Sequence, residues 1–275
     1  MAKIVMSIVA FSLMLTLVTG ISLLEPLNAV AGEEPLHLGT VGPGQTLELQ
    51  FSRDTGLPAA INPTTGHNAF WDQASVIQST LPPGWESRDS LRYESPLTVF
   101  ATVSPNALKG DYLFSVGFTD EYEGTEPEIA KFKVTVDPDV LDVSLSQPTV
   151  TAGVGQPAVF ALVAKSKSVA SDTFTIKASG LPYDWQFTKT FFLPHGSEQV
   201  VFFEVVGNIQ KEVPFQINVT SVSSRDITKT ANAKVITEST LLQDAKSTSL
   251  GLPLFPSVEQ QVYAIIGLVA NLLFK

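Results

Sequence analysis

Three histidines, one Asp-Thr-Gly tripeptide and two groups of carboxylates are the residues in this chain able to do chemistry. His37, His67 and His195 lie far apart in sequence, and His195 sits in the turn-like Leu193-Pro194-His195-Gly196. The chain has no His-Glu-x-x-His, no Gly-x-Ser-x-Gly, no phosphate-cradling glycine loop and no EF-hand loop. Asp54-Thr55-Gly56 spells the tripeptide in which two paired carboxyls share one proton. Ser52 and Arg53 precede it where a buried apolar strand is needed, and no second copy exists. It reads as a turn. Zero cysteines remove thiolate nucleophiles, disulfides and thiolate metal ligation. No residue is assigned a catalytic role, and the chain is not expected to be an enzyme.

Binding chemistry has more to work with. Asp120-Glu121-Tyr122-Glu123-Gly124-Thr125-Glu126-Pro127-Glu128 is a carboxylate-rich loop, and Asp137, Asp139 and Asp142 gather further on. Hard oxygen ligands in such groups suit calcium. On that reading Asp120, Glu121, Glu123, Glu126, Asp137 and Asp139 are the candidate ligands, and no other cofactor is expected. The alternative is a solvated loop that keeps an exported protein soluble. A second candidate is Asp54–Asp72, which holds Asn68, Phe70 and Trp71. Aromatic rings beside amides stack on a sugar or grip a partner, and long loops on rigid scaffolds are where binding residues collect. The plainer reading has this loop folding back over an open sheet edge.

Composition narrows the classes. The 275 residues carry 17 Lys+Arg against 27 Asp+Glu, a net charge of −10, with 44% hydrophobic and only 16% charged residues. So acidic a chain has no electrostatic basis for gripping a phosphate backbone, which excludes nucleic acid as the expected partner. It is also too apolar to be disordered.

The elements that must position these residues are strands. Thr46–Phe51, Thr98–Val103 and Lys131–Val136 alternate apolar and polar residues, as do Asp111–Phe118, Asp172–Ala178, Val200–Val206 and Phe215–Val222. Short alternating segments with turn residues between them point to an all-β sandwich. The order then repeats. Gly42-Pro43-Gly44-Gln45 answers Gly153-Val154-Gly155-Gln156, and Leu81-Pro82-Pro83-Gly84-Trp85 answers Leu181-Pro182-Tyr183-Asp184-Trp185. Val99–Val103 answers Val201–Val205, and Phe114-Ser115-Val116 answers Phe215-Gln216-Ile217, at an offset of about 100 residues. Between the Gly-x-Gly-Gln and Leu-Pro-x-x-Trp landmarks copy one is 11 residues longer, the excess falling in Asp54–Asp72.

These motifs resemble the immunoglobulin-like domains of archaeal and bacterial surface proteins, the type also attached to glycosidases and to S-layer-like membrane-anchored ectodomains. The resemblance covers roughly residues 36–238 and implies a fold, with no catalytic residue to carry over. It implies two tandem immunoglobulin-like β-sandwiches, 33–138 and 139–238, each with its tryptophan between the sheets. The junction Val136-Asp137-Pro138-Asp139-Val140 is short and contains proline, which predicts a stiff connection.

Both ends are apolar. Lys3 precedes an uncharged run from Ile4 to Leu24, followed by Ala29-Val30-Ala31 before Gly32, the layout of a secretory signal. The run also has the length of a retained membrane anchor, so 1–31 is expected to be one or the other. Residues 239–257 read as a stalk leading to an apolar helix over 258–275. On that helix Gln260, Ala264, Gly267 and Asn271 share a small and polar face suited to packing against another helix in lipid. The sequence therefore predicts sandwiches flanked by hydrophobic helices in an exported protein anchored outside the cytoplasm. Its expected work is non-catalytic, a rigid rod for adhesive or structural contact with a protein partner and with membrane lipid through the C-terminal helix. An accessory ectodomain of a membrane complex and a carbohydrate-binding module are the alternatives.

Overall fold

The computed structural model describes residues 21–55, 70–121 and 125–239, and these form two β-sandwiches in tandem. In the first, β1 (Ile21–Glu25), β2 (Ala29–Ala31), β4 (Thr46–Phe51), β6 (Glu86–Arg88) and β7 (Leu97–Thr102) make one sheet, ordered β2-β1-β4-β7-β6. Facing it is a sheet ordered β3-β9-β8-β5, from β3 (Leu36–Val41), β5 (Gln73–Val76), β8 (Gly110–Thr119) and β9 (Glu128–Val136). The second sandwich pairs β10 (Leu141–Leu145), β12 (Pro157–Ser166) and β15 (Glu198–Val206) in the order β10-β12-β15. Its other sheet runs β11-β17-β16-β13-β14, from β11 (Thr149–Gly153), β13 (Asp172–Ser179), β14 (Thr188–Leu193), β16 (Lys211–Ser221) and β17 (Thr228–Glu238).

The duplication seen in sequence is a duplication of topology. β1 on β4 corresponds to β10 on β12, and β3 runs parallel to β9 as β11 does to β17. Strands β4, β7, β8 and β9 correspond to β12, β15, β16 and β17. This is the strand arrangement of an immunoglobulin-like sandwich. The copies part company at one strand. Copy one places β6 on the edge of β7, whereas copy two places β14 on the edge of β13, in the opposite sheet.

Alternation builds the cores. In β4 the side chains of Leu47, Leu49 and Phe51 are wholly buried while Thr46 and Glu48 face out, the period-two pattern of a strand with one wet face. Phe51 packs edge-on against Phe118 at 4.9 Å between ring centroids, with Phe132 at 5.7 Å from Phe51 and Phe114 at 5.7 Å from Phe132. Copy two repeats the device with Phe160 stacked on Phe203 at 5.3 Å and edge-on to Phe215 at 5.5 Å. Trp85 and Trp185 are buried in their respective cores, and Trp185 Nε1 donates to Asn208 Oδ1 at 2.9 Å.

Residues 21–31, placed by sequence within a signal or anchor segment, form the β1–β2 hairpin, with Ile21 opposite Ala31 and Leu23 opposite Ala29. Ile21, Leu23 and Ala31 lie in the copy-one core. A buried strand and a leader are both apolar, so their junction leaves no break in hydropathy. The flanking hydrophobic helices expected at the two ends fall largely on residues 1–20 and 258–275, outside the described residues. Among the described residues no helix is long and apolar enough to cross a membrane.

Phe132 bridges the aromatic cluster of copy one. Phe132→Ala is expected to cost about 3–5 kcal/mol of copy-one stability, read from the shift of the urea unfolding curve.

Candidate functional site

The Gly42-Pro43-Gly44-Gln45 turn between β3 and β4 is the plug of an inter-domain joint. Its socket lies between the β12–β13 loop and the β16–β17 loop of copy two. Gly44 has φ +73°, and a Cβ there would meet Ser223 O at 2.2 Å; a Cβ on Gly42 would meet Ile227 Cδ1 at 2.4 Å. Only glycine fits so close an approach. Gln45 is 1% exposed, and its Nε2 donates to Asp172 Oδ2 at 2.8 Å in the other domain. Gln45 Oε1 accepts from Gly42 N at 2.8 Å and from Ser168 Oγ at 2.6 Å.

Asp172, 5% exposed, is the centre of the socket. Its Oδ2 also accepts from Ser221 Oγ at 2.6 Å, while Oδ1 accepts from Thr173 N at 2.7 Å and Ser223 Oγ at 2.8 Å. Buried polar groups are stable only when hydrogen-bonded, and this carboxyl draws donors from both domains. Val169 N donates to Thr40 O at 2.8 Å across the joint, and Ala170 lies in the core of copy one. The two sandwiches therefore share buried structure.

Copy one also buries a carboxyl near the start of the corresponding strand. Asp72, one residue ahead of β5, is buried two register steps from the position of Asp172, since Ala74 pairs with Phe118 where Ile176 pairs with Val219. Its donors are Arg53 Nη2 at 2.8 Å and Glu121 N at 3.0 Å. Arg53 also stacks near Phe70, 5.5 Å from the ring centroid. One socket is thus filled from within, and the other by the neighbouring domain.

Ion pairs ring the joint. Lys109 Nζ sits 2.7 Å from Asp137 Oδ2, and Lys167 and Lys229 approach Asp139 at 3.4 and 2.5 Å; Lys167 also reaches Asp142 at 3.0 Å. The Lys109 hydrogen bond holds the Asp137 carboxyl below the usual range, helped by the Asp139 amide. Lys229, then Lys167, do the same for Asp139. Lys109 and Lys167 are raised, chiefly through their bonds to Asp137 and Asp142.

The structure disperses the residues proposed as ligands. Asp137 and Asp139 face lysines, and Glu121 binds Arg92 at 3.1 Å and accepts from Tyr93 OH at 2.7 Å. Asp120 accepts from Thr125 N at 2.9 Å, and Glu126 is exposed in the same loop; Glu123 lies outside the described residues. Among the described residues no three His, Cys, Asp or Glu side chains gather as a metal site. In the Asp54–Asp72 loop Phe70 is partly exposed, but Trp71 is 1% exposed and packs on Phe118 at 6.0 Å. Trp71 is thus a core residue, packed in the copy-one cluster and removed from ligand stacking. Asn68 lies outside the described residues, as does the Gln260, Ala264, Gly267 and Asn271 face.

What the sequence reading did not single out is the wet face of the β10-β12-β15 sheet. Val159, Val200, Phe202 and Val206 are exposed on it, Phe202 at 57%. On the matching strand of copy one, β7, the outward ring is Phe100, two register steps from the position of Phe202, and the Arg88 guanidinium on β6 covers it at 4.0 Å from the ring centroid. Among the described residues no strand pairs with the outer edge of β15, where Lys189 Nζ donates to Phe202 O. Beside the joint, a cleft of about 530 Å³ runs between the outer face of β4 and β7 and the second domain, lined by Glu48, Gln50, Phe100 and Phe192. Glu25 and His195 close its lip at 3.4 Å.

No family model matches the chain, and no curated protein matches it in sequence. Among solved structures it is similar to a chimeric titin Z1Z2 carrying a decorin peptide, at 12% identity and a TM-score of 0.37, covering 81% of this chain and 99% of that one. It is similar to fibronectin(III)-like modules of Clostridium thermocellum CbhA at 10% identity and a TM-score of 0.28, covering 80% and 94%. A Listeria innocua β-glucosidase in complex with glucose matches at 12% identity and a TM-score of 0.26, over 36% of this chain and 16% of the enzyme. Superpositions this loose carry no argument about activity or partners.

Gln45→Ala removes one donor to Asp172 and leaves Ser168 Oγ and Gly42 N without their acceptor. The expected loss is about 1–3 kcal/mol in chemical unfolding, with a wider distribution of inter-domain angles in small-angle scattering. The lowered Asp137 and Asp139 carboxyls contribute fully above the unfolded value of ~3.9, and that contribution disappears as pH falls through their lower folded values. The melting temperature should therefore drop on acidification below pH ~4, less steeply in Asp139→Asn and in molar salt. The raised lysines act at the opposite end, losing their contribution only as pH climbs past ~10.4.

Proposed function

We propose that this chain is a non-catalytic, exported and membrane-tethered surface protein whose two joined sandwiches hold a contact surface for a protein partner in a fixed orientation. The observation that carries the reading is the Gln45–Asp172 joint, which couples the domains through buried hydrogen bonds instead of a flexible tether. A freely jointed pair of domains would have no use for a buried plug and socket. Such a coupling is what a spacer needs to transmit position and force. The apolar stretch 262–274 supports the membrane tether, and the run after Lys3 supports export. An accessory ectodomain of a membrane complex is the same arrangement with a membrane subunit as the partner.

The contact surface proposed is the outer edge of β15. Copy one shows the kind of occupant such an edge takes: β6 pairs with β7 and lays Arg88 over the outward ring Phe100. We assign to β15 an extended partner segment that adds as a strand and sets a basic side chain over Phe202, between Glu198 and Glu204. The test is site-specific photo-crosslinking from position 202 in intact native cells, with position 183, an exposed tyrosine at 91% accessibility, as the control. One partner crosslinked from 202 and absent from 183, and lost in an otherwise folded Glu204→Pro chain, is the expected result. Crosslinks absent at 202, or equal at both positions, in a chain that is reached from outside the cell would sink the β15 assignment.

A further inference from the structure

The hairpin at residues 21–31 decides where an export leader can end. β1 is bonded on both sides, to β2 and to β4, with Leu23 opposite Phe51 and Ser52 N donating to Ser22 O at 2.9 Å. Ile21, Leu23 and Ala31 are all buried in the copy-one core, Leu23 completely. Copy two carries β10 in the corresponding place on β12, far from any leader. A strand there is therefore part of the repeated unit, and β1 is its copy-one instance.

Ala29-Val30-Ala31, the small-residue triplet that best matches a leader peptidase site, is β2 itself. Hydrolysis after Ala31 would strip both strands from β4, leaving one side of the sheet unpaired and three core positions empty. The chain ahead of β1 offers another site. Lys3 is followed by the uncharged Ile4–Val18 and then Thr19-Gly20, which puts glycine at the last position and valine two before it. That apolar run is the length of a leader's hydrophobic region. Extended to Gly20 as a helix it would reach about 25 Å, short of the ~30 Å hydrocarbon core that a retained anchor crosses.

We infer that the Gly20–Ile21 peptide bond is the processing site, cut by a membrane peptidase selective for small residues, so that the mature chain begins with the first residue of β1. Water adds across the bond, giving a carboxylate on Gly20 and an α-ammonium on Ile21, and no other reactant is needed. The inference rests on the exported reading above, and the two fail separately.

The experiment expresses the full chain with a C-terminal tag in a secreting prokaryotic host. It reads protease accessibility in spheroplasts alongside the intact mass and the N-terminal peptide. An accessible chain starting at Ile21, with uncut precursor accumulating in Gly20→Leu, is the expected result. An accessible chain starting at Gly32, or one still carrying Met1 or Ala2, overturns the site while leaving export standing. An inaccessible chain overturns both. As an independent check, chains made to begin at Ile21 and at Gly32 are compared in urea. The Gly32 chain should unfold at a clearly lower midpoint in its copy-one transition, and equal midpoints would remove the ground for the inference.

Discussion

The hydrogen bond from Gln45 to Asp172 is the contact on which the arrangement of the two domains depends. A buried carboxyl is costly unless every lone pair finds a donor, and a buried carboxamide has the same requirement in both senses. Here each satisfies the other, with Ser168, Ser221 and Ser223 completing the set. Withdrawing the plug would expose both halves to partial solvation at once. The bond therefore acts on geometry more than on the stability of either sandwich. Glycines at 42 and 44 let the backbone come near enough for it to form.

The two copies show how one fold is adapted to different neighbours. Asp72 and Asp172 are buried carboxyls near the start of corresponding strands, two register steps apart, and the first is closed by Arg53 while the second is closed by the preceding domain. The same logic applies at the edges. Copy one adds β6 to β7 and shields Phe100, while copy two moves its extra strand to the opposite sheet as β14 and leaves Phe202 open. The first difference joins the domains, and the second leaves the outer edge of β15 without a paired strand among the described residues.

These features combine into two sandwiches with a defined joint and a β15 edge that no described strand pairs with, where Lys189 reaches the Phe202 carbonyl. Edges of this kind are normally blunted by charge, by proline or by a covering strand. Along β15 the charges are Glu198 and Glu204, beside three exposed apolar residues, so the edge is suited to pairing with a basic extended segment. The ion pairs around the joint are exposed and salt-sensitive, and they supplement the buried network without replacing it.

Much of the fold was legible in the sequence because strand alternation and turn chemistry are local. The expected segments at 46–51, 111–118, 172–178 and 215–222 each fall on a strand, and the repeated motifs fall on corresponding parts of the two copies. The tandem order needed no more than comparison of the chain with itself. What the sequence could not supply were contacts between distant residues. Trp71 lies in a loop that reads either as a ligand platform or as a cover for a sheet edge, and only Phe118 against it shows a core residue; Ile21 lies in an apolar run that hides the strand paired with Ala31 and β4. The Gly-Pro-Gly-Gln turn announces a tight bend, but only the structure shows that its glutamine reaches an aspartate 127 residues further on. Local pattern fixes which face of a strand is apolar. Which surface that face or turn then meets depends on packing over long separations, and this the tertiary structure alone decided.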